Sequence, residues 1–189
     1  MYFFFHNDLK YKRYIFLNCY QHMCGINAVI SHKDSFNDLY EGLYHLQHRG
    51  QDSFGISYFN DKDEIKTIKS TGLLSDNNTD NQQINIGIGH VRYPTTGNIT
   101  LNECQPLILN TDKHNISIVH NGQINITNKL ESFLIDNKIK LPENISDSHY
   151  LLYLLSYYLN QYENLNKDIL INIVSEIQNL LDGSYNCIC

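Results

Sequence analysis

The sequence predicts an α+β fold, a layered arrangement of sheet and helix in a single domain. Three observations point there. Short apolar runs with strand character come early, at 25–30, 54–59, 64–70, 84–93 and 116–122. Helical periodicity dominates the last third. A final strand signal, "SYNCIC", then follows the last helix. Strands, then helices, then a strand, with no repeat and no dividing linker, fit an α+β architecture better than a repeating βαβ one. The length of 189 residues suits one domain or slightly more.

Each element has its own signal. "GINAVI" (25–30) reads as a buried strand. In the stretch that follows, Phe36, Leu39, Leu43 and Leu46 recur at helical spacing, and Gly50 can stop that helix. "FGISYF" and "EIKTIKS" read as strands joined by the turn-prone "NDKD". "SDNNTDNQQ" (75–83) is a polar loop. "INIGIGHVRY" (84–93) alternates like a strand, and "ISIVHNG" (116–122) reads as a strand ending in a tight turn. Helices are expected at 128–138, 146–162 and 168–183. Ser146 can cap the second of these, and Asp147 suits its positive end.

Composition narrows the function. A 42% apolar content is ordinary for a globular chain, and the net charge is −6 with no basic stripe. Nucleic acid and anionic membrane are therefore not expected partners. The five cysteines are odd in number and lack Cys-x-x-Cys spacing. That fits a reducing, cytoplasmic setting rather than a disulfide framework or zinc site. His45 and His48 lie three apart on a predicted helix, but no further ligand set accompanies them, so no metal is expected. Residues 1–22 are broken by charged and polar side chains. They suit neither a signal peptide nor a membrane span, and residues 1–23 read as an extension or propeptide outside the mature domain.

Five short stretches carry residues suited to chemistry. Cys24 follows Met23 at the mouth of a strand. If Met23 were removed, the free α-amine of Cys24, with a pKa near 8, would be a base beside its own thiol. Arg92 in "GHVRYPTTG" is placed to grip a carboxylate. Asn121 and Gly122 in "VHNGQI" are either a plain hairpin or donors to an oxyanion. Asp147 in "ISDSHYLL" either caps a helix or pairs with an ammonium group. "LQHRGQDSFG" packs Arg49 and Gly50 into a polar helix exit. Taken singly, each has a plainer role: Cys24 as a small buried hydrophobe, Arg92 as a surface ion pair.

Taken together and in this order, Met23-Cys24-Gly25-Ile26, "LQHRGQDSFGI", "GHVRYPTTGN", "HNGQI" and "SDSHYLL" resemble class II glutamine amidotransferase domains. The likeness is greatest to the amino-terminal half of amidophosphoribosyltransferases, and it spans residues 23–189. It implies a four-layer αββα N-terminal-nucleophile hydrolase sandwich, here lacking its last strands. Residues 24–189 would form a C-terminally truncated amidotransferase domain, with no phosphoribosyltransferase domain expected. The resemblance implies that Cys24 is the nucleophile, and that Asn121 and Gly122 form the oxyanion hole. It implies that Arg92 holds the glutamine carboxylate and Asp147 its ammonium. Arg49 and Gly50 would line the cysteine pocket, and Thr95 and Thr96 would belong to a loop that closes on substrate. The expected substrate is L-glutamine, with a synthase domain or subunit supplying the ammonia acceptor. No cofactor is expected in this domain; full-length relatives use Mg2+ with phosphoribosyl pyrophosphate in a second one. The alternative is a non-catalytic module that binds glutamine or a partner.

Overall fold

Strand β2 (Gly25–Ile30) shows how the layers arise. Its side chains alternate between two faces, as the pleat requires. Ile26 and Ala28 pack with Val119, Ile188 and Ile88. Val29 turns the other way and joins Phe36, Leu39, Leu43 and Leu46 of helix α1 (Phe36–Leu46). A six-residue strand buried along its whole length must be covered on both sides. Here a second sheet covers one face and a helix the other. The structure is a computed structural model that describes residues 13–14, 24–60, 62, 64–74, 83–93 and 101–189.

The remaining strands are β1 (Arg13–Tyr14), β3 (Ser53–Phe59), β4 (Ile65–Thr71), β5 (Ile86–Arg92), β6 (Leu107–Asn110), β7 (Asn115–Asn125) and β8 (Asp182–Ile188). The first sheet has the order β1-β2-β5-β3-β4 and the second β6-β7-β8; every pairing is antiparallel. On β5 the glycines let α1 approach: a Cβ at Gly87 or Gly89 would press into Leu39 or Leu43. Helices α2 (Asn128–Asp136), α3 (Asp147–Leu159) and α4 (Lys167–Leu180) cover the outer face of the second sheet. Leu130, Leu151, Leu154, Leu155 and Ile177 pack there against Ile116, Ile118 and Ile124. The layers therefore run helix, sheet, sheet, helix, the expected four-layer order.

The sequence reading differs from the structure in four places. The helix expected at 168–183 ends at Leu180, because Asp182 and Gly183 pair with β7 as the start of β8. β6 is only four residues long and went unread. β7 does not turn at Asn121-Gly122; it continues to Asn125, because β8 pairs with it from Val119 to Asn125. A strong local turn signal thus yields to a strand some sixty residues on. Ser146 occupies the N-cap of α3, but its hydroxyl bonds His149 Nδ1 at 3.0 Å instead of the helix backbone. The polar loop expected at 75–83 lies almost wholly outside the described residues, as do Thr95 and Thr96.

Candidate active site

The pairing of β2 with β5, with Gly25 opposite Val91, brings Cys24 beside Arg92. On the second sheet, the middle of β7 carries Asn121 and Gly122. Asp147 opens α3, where the helix N-terminus favours a carboxylate. All five side the same cleft of about 370 Å³ between the ends of the two sheets. They come from four separate stretches of chain.

Arg49 and Gly50 lie behind this cleft. Arg49 is buried, and its Nε donates to the Cys24 carbonyl at 3.4 Å. A Cβ at Gly50 would fall 2.5 Å from the Arg92 carbonyl carbon, so only glycine lets this loop press on β5. The Asp52 N–H then donates to the Arg92 carbonyl at 3.1 Å. These contacts fix where Cys24 and Arg92 sit, rather than forming the cleft wall. The His45–His48 pair is also local: His48 Nδ1 meets the His45 carbonyl at 2.8 Å.

Burial pushes the Cys24 thiol above its ordinary value. The Tyr93 N–H, bonded to the sulfur, and the Arg92 guanidinium oppose that rise, while Asp147 adds to it. The two imidazoles of the cleft are weak bases. Burial lowers His90 to about 3, with the His120 ring and Arg92 acting in the same direction. Burial also lowers His120, against the pull of Asp147. Beside ring nitrogens of His90 and His120, the buried cleft atoms with no hydrogen-bond partner among the described residues include Arg92 Nη1, a donor, and Asn121 Oδ1, an acceptor. Leaving such groups unpaired typically costs about 1–3 kcal/mol each, which a polar ligand would recover.

Among the further residues of the cleft, His90, Glu103, Gln105, His120 and Ser148 were not singled out as site residues by the sequence. His90 and His120 stand in motifs already singled out, but their inward direction depends on the strand face. Gln105 reaches the site through bonds to distant residues: its Oε1 accepts from the His120 N–H and its Nε2 donates to Ser148 Oγ. A larger cavity, about 470 Å³, opens between the sheets at the Ile30 end of β2. Its wall is mainly apolar and holds none of the five converging residues, so it does not compete as a reaction site. Among the described residues, no helix is long and apolar enough to cross a membrane.

No protein-family model matches the chain. Amidophosphoribosyltransferase of Pasteurella multocida (strain Pm70) is 33% identical over 172 residues, covering 88% of this chain and 34% of the relative. The same enzyme of Escherichia coli (strain K12) is 32% identical over 172 residues, with the same coverage. Among solved structures, glutamine phosphoribosylpyrophosphate (PRPP) amidotransferase from B. subtilis, complexed with ADP and GMP, superposes with a TM-score of 0.63 at 27% identity. That match covers 87% of this chain and 34% of that one. The chain thus spans about a third of the length of the relatives it matches. In fold, and in sequence over most of its length, the chain is similar to these amidophosphoribosyltransferases, consistent with a glutamine amidotransferase domain.

Proposed function

We propose that the cleft hydrolyses the side-chain amide of L-glutamine to glutamate and ammonia. The chain would be the glutaminase part of an amidophosphoribosyltransferase, in purine biosynthesis, with the ammonia acceptor held by a synthase domain or subunit. One observation carries the reading: a thiol, a cation, an anion and amide donors from distant stretches converge on one cleft. Glutamine is a zwitterion with an uncharged reacting amide, and it needs that set. Arg92 takes its carboxylate and Asp147 its ammonium, which fixes the amide against Cys24. Such orientation is worth up to several kcal/mol of the barrier.

Cys24 Sγ attacks the amide carbon, and the oxyanion that develops is held by the Asn121 amide and the Gly122 N–H. The C–N bond then breaks, ammonia leaves, and a glutamyl thioester remains. Water hydrolyses it to glutamate and restores the thiol. A thiol raised by burial is not ionised at neutral pH, so attack needs a base. Both cleft imidazoles are driven toward weak basicity. The base is then the α-amine of Cys24, freed by removal of the residues before it; the proton it takes passes to the leaving nitrogen.

The test is steady-state glutamate release by the full chain and by a chain translated from Met23, each with a Cys24→Ala counterpart. Turnover by the form that begins at Cys24, and none by its alanine variant, is the expected result. Folded, processed protein that binds glutamine without releasing glutamate would establish the non-catalytic module instead.

A further inference from the structure

The cleft contains a closed ring of hydrogen bonds that the proposed chemistry does not use directly. Ser148 is buried on the first turn of α3, one residue after Asp147. Its hydroxyl receives Gln105 Nε2 at 3.0 Å and meets His120 Nδ1 at 2.8 Å. Gln105 Oε1 in turn accepts the backbone N–H of His120. Gln105, Ser148 and His120 therefore close on one another, and His120 is the residue before Asn121 on β7.

We propose that Ser148 is a positioning residue: its hydroxyl, held by Gln105 and His120, aligns the Asp147 carboxylate with the stretch of β7 that carries Asn121 and Gly122. What the alignment serves rests on the glutaminase reading; the alignment itself does not. A serine oxygen accepts two hydrogen bonds and donates one. With Gln105 N–H and His120 Nδ1–H as donors to it, its own proton is free for Asp147 Oδ1, at 3.4 Å. That tautomer leaves His120 Nε2 a bare lone pair, and Nε2 is the ring nitrogen with no partner among the described residues. A neutral ring, as burial imposes, has one donor and one acceptor nitrogen.

The other carboxylate oxygen is fixed separately. Asp147 Oδ2 accepts the Ile124 N–H at 2.8 Å. Asp147 is thus tied to β7 by two routes: directly at Ile124, and through Ser148 at His120. Asn121 and Gly122 lie between those two anchor points. The first turn of α3 and the central part of β7 are held in register at the place where an anion and an oxyanion hole must face one molecule. The ring is buried, and Ser148 and His120 are each under 4% exposed. It holds the frame from the cleft wall and is not itself a catalytic group.

Ser148→Ala removes the hydroxyl that joins the ring to Asp147. Gln105→Leu removes one arm at similar volume. Ser156→Ala, a buried serine further along α3, is the control. Two readouts apply. In the form that turns over glutamine, Ser148→Ala and Gln105→Leu should raise KM roughly tenfold, the scale of losing a hydrogen bond to a charged group, and change kcat less. In the full chain, NMR should show the Gly122 and Ile124 amide resonances displaced in both variants and unmoved in Ser156→Ala. A purely structural role would lower Tm yet leave KM and both amides in place, and that result overturns the proposal. If no form hydrolyses glutamine, the glutaminase reading fails and the amide shifts alone decide the positioning. If neither variant folds, Ser148 is structural and the proposal fails.

Discussion

Gly122 meets the strictest steric demand in the cleft. Its φ is +145°, and a Cβ there would lie 2.2 Å from the Ser184 carbonyl oxygen on β8. Gly122→Ala should therefore lose at least ~2 kcal/mol of stability, from strain at positive φ and a backbone clash, together with most activity. Thermal unfolding and glutamate release on one sample check both. Asn121→Ala is the cleaner probe of chemistry. Removing one oxyanion donor should lower kcat about 10²–10³-fold, with KM nearly unchanged; an equal change in KM would place Asn121 in ground-state binding instead. Cys24, Arg92, Asn121, Gly122 and Asp147 could be named from the sequence because each stands in a short motif of apt chemistry. Ser148 and Gln105 could not. Their meaning lies in bonds to His120 across 28 and 15 residues, which no local pattern encodes.

Strand β5 shows how one element serves both packing and site. Gly87 and Gly89 admit Leu39 and Leu43 of α1 on one face. On the other face Ile88 packs between the sheets, and His90 and Arg92 reach the cleft. His90 is completely desolvated, neither ring nitrogen has a partner among the described residues, and its pKa falls to about 3. In the unfolded chain a histidine titrates near 6.5. Protonation thus favours unfolding: the stabilisation is complete above about pH 6.5 and declines as pH falls toward 3. From pH 7 to pH 5 the loss is about 2 kcal/mol from this residue alone, and His120 acts in the same direction. Denaturant titrations at both pH values should show that loss, and His90→Asn should flatten the slope; equal slopes would assign the acid sensitivity elsewhere. At this scale, alternation and helical spacing located β2, β3, β4, β5 and the four helices. β7 was read short because Asn-Gly is a strong turn signal when read locally, and pairing with β8 overrides it.

Among the described residues, three apolar clusters lie in series: under α1, between the sheets, and beneath α2, α3 and α4. Leu151 sits wholly buried in the last of these. Leu151→Ala should cost about 2–5 kcal/mol, lowering Tm while the folded fraction keeps its KM for glutamine, because Leu151 packs in the helix layer and does not line the cleft. The class of fold was readable in the order of elements, whereas the composition of each sheet was not. β5 inserts between β2 and β3, its neighbours in space but not in sequence, a choice made by long-range packing. The convergence of Cys24, Arg92, Asn121 and Asp147 follows from that topology, and it bears the whole functional reading. The most direct measurement is mass spectrometry of the protein beginning at Cys24, acid-quenched during incubation with L-glutamine. The expected result is one added glutamyl group on the Cys24 peptide, absent in Cys24→Ala. Release of glutamate with Cys24 unmodified under the same quench, or a glutamyl group on another residue, would contradict it.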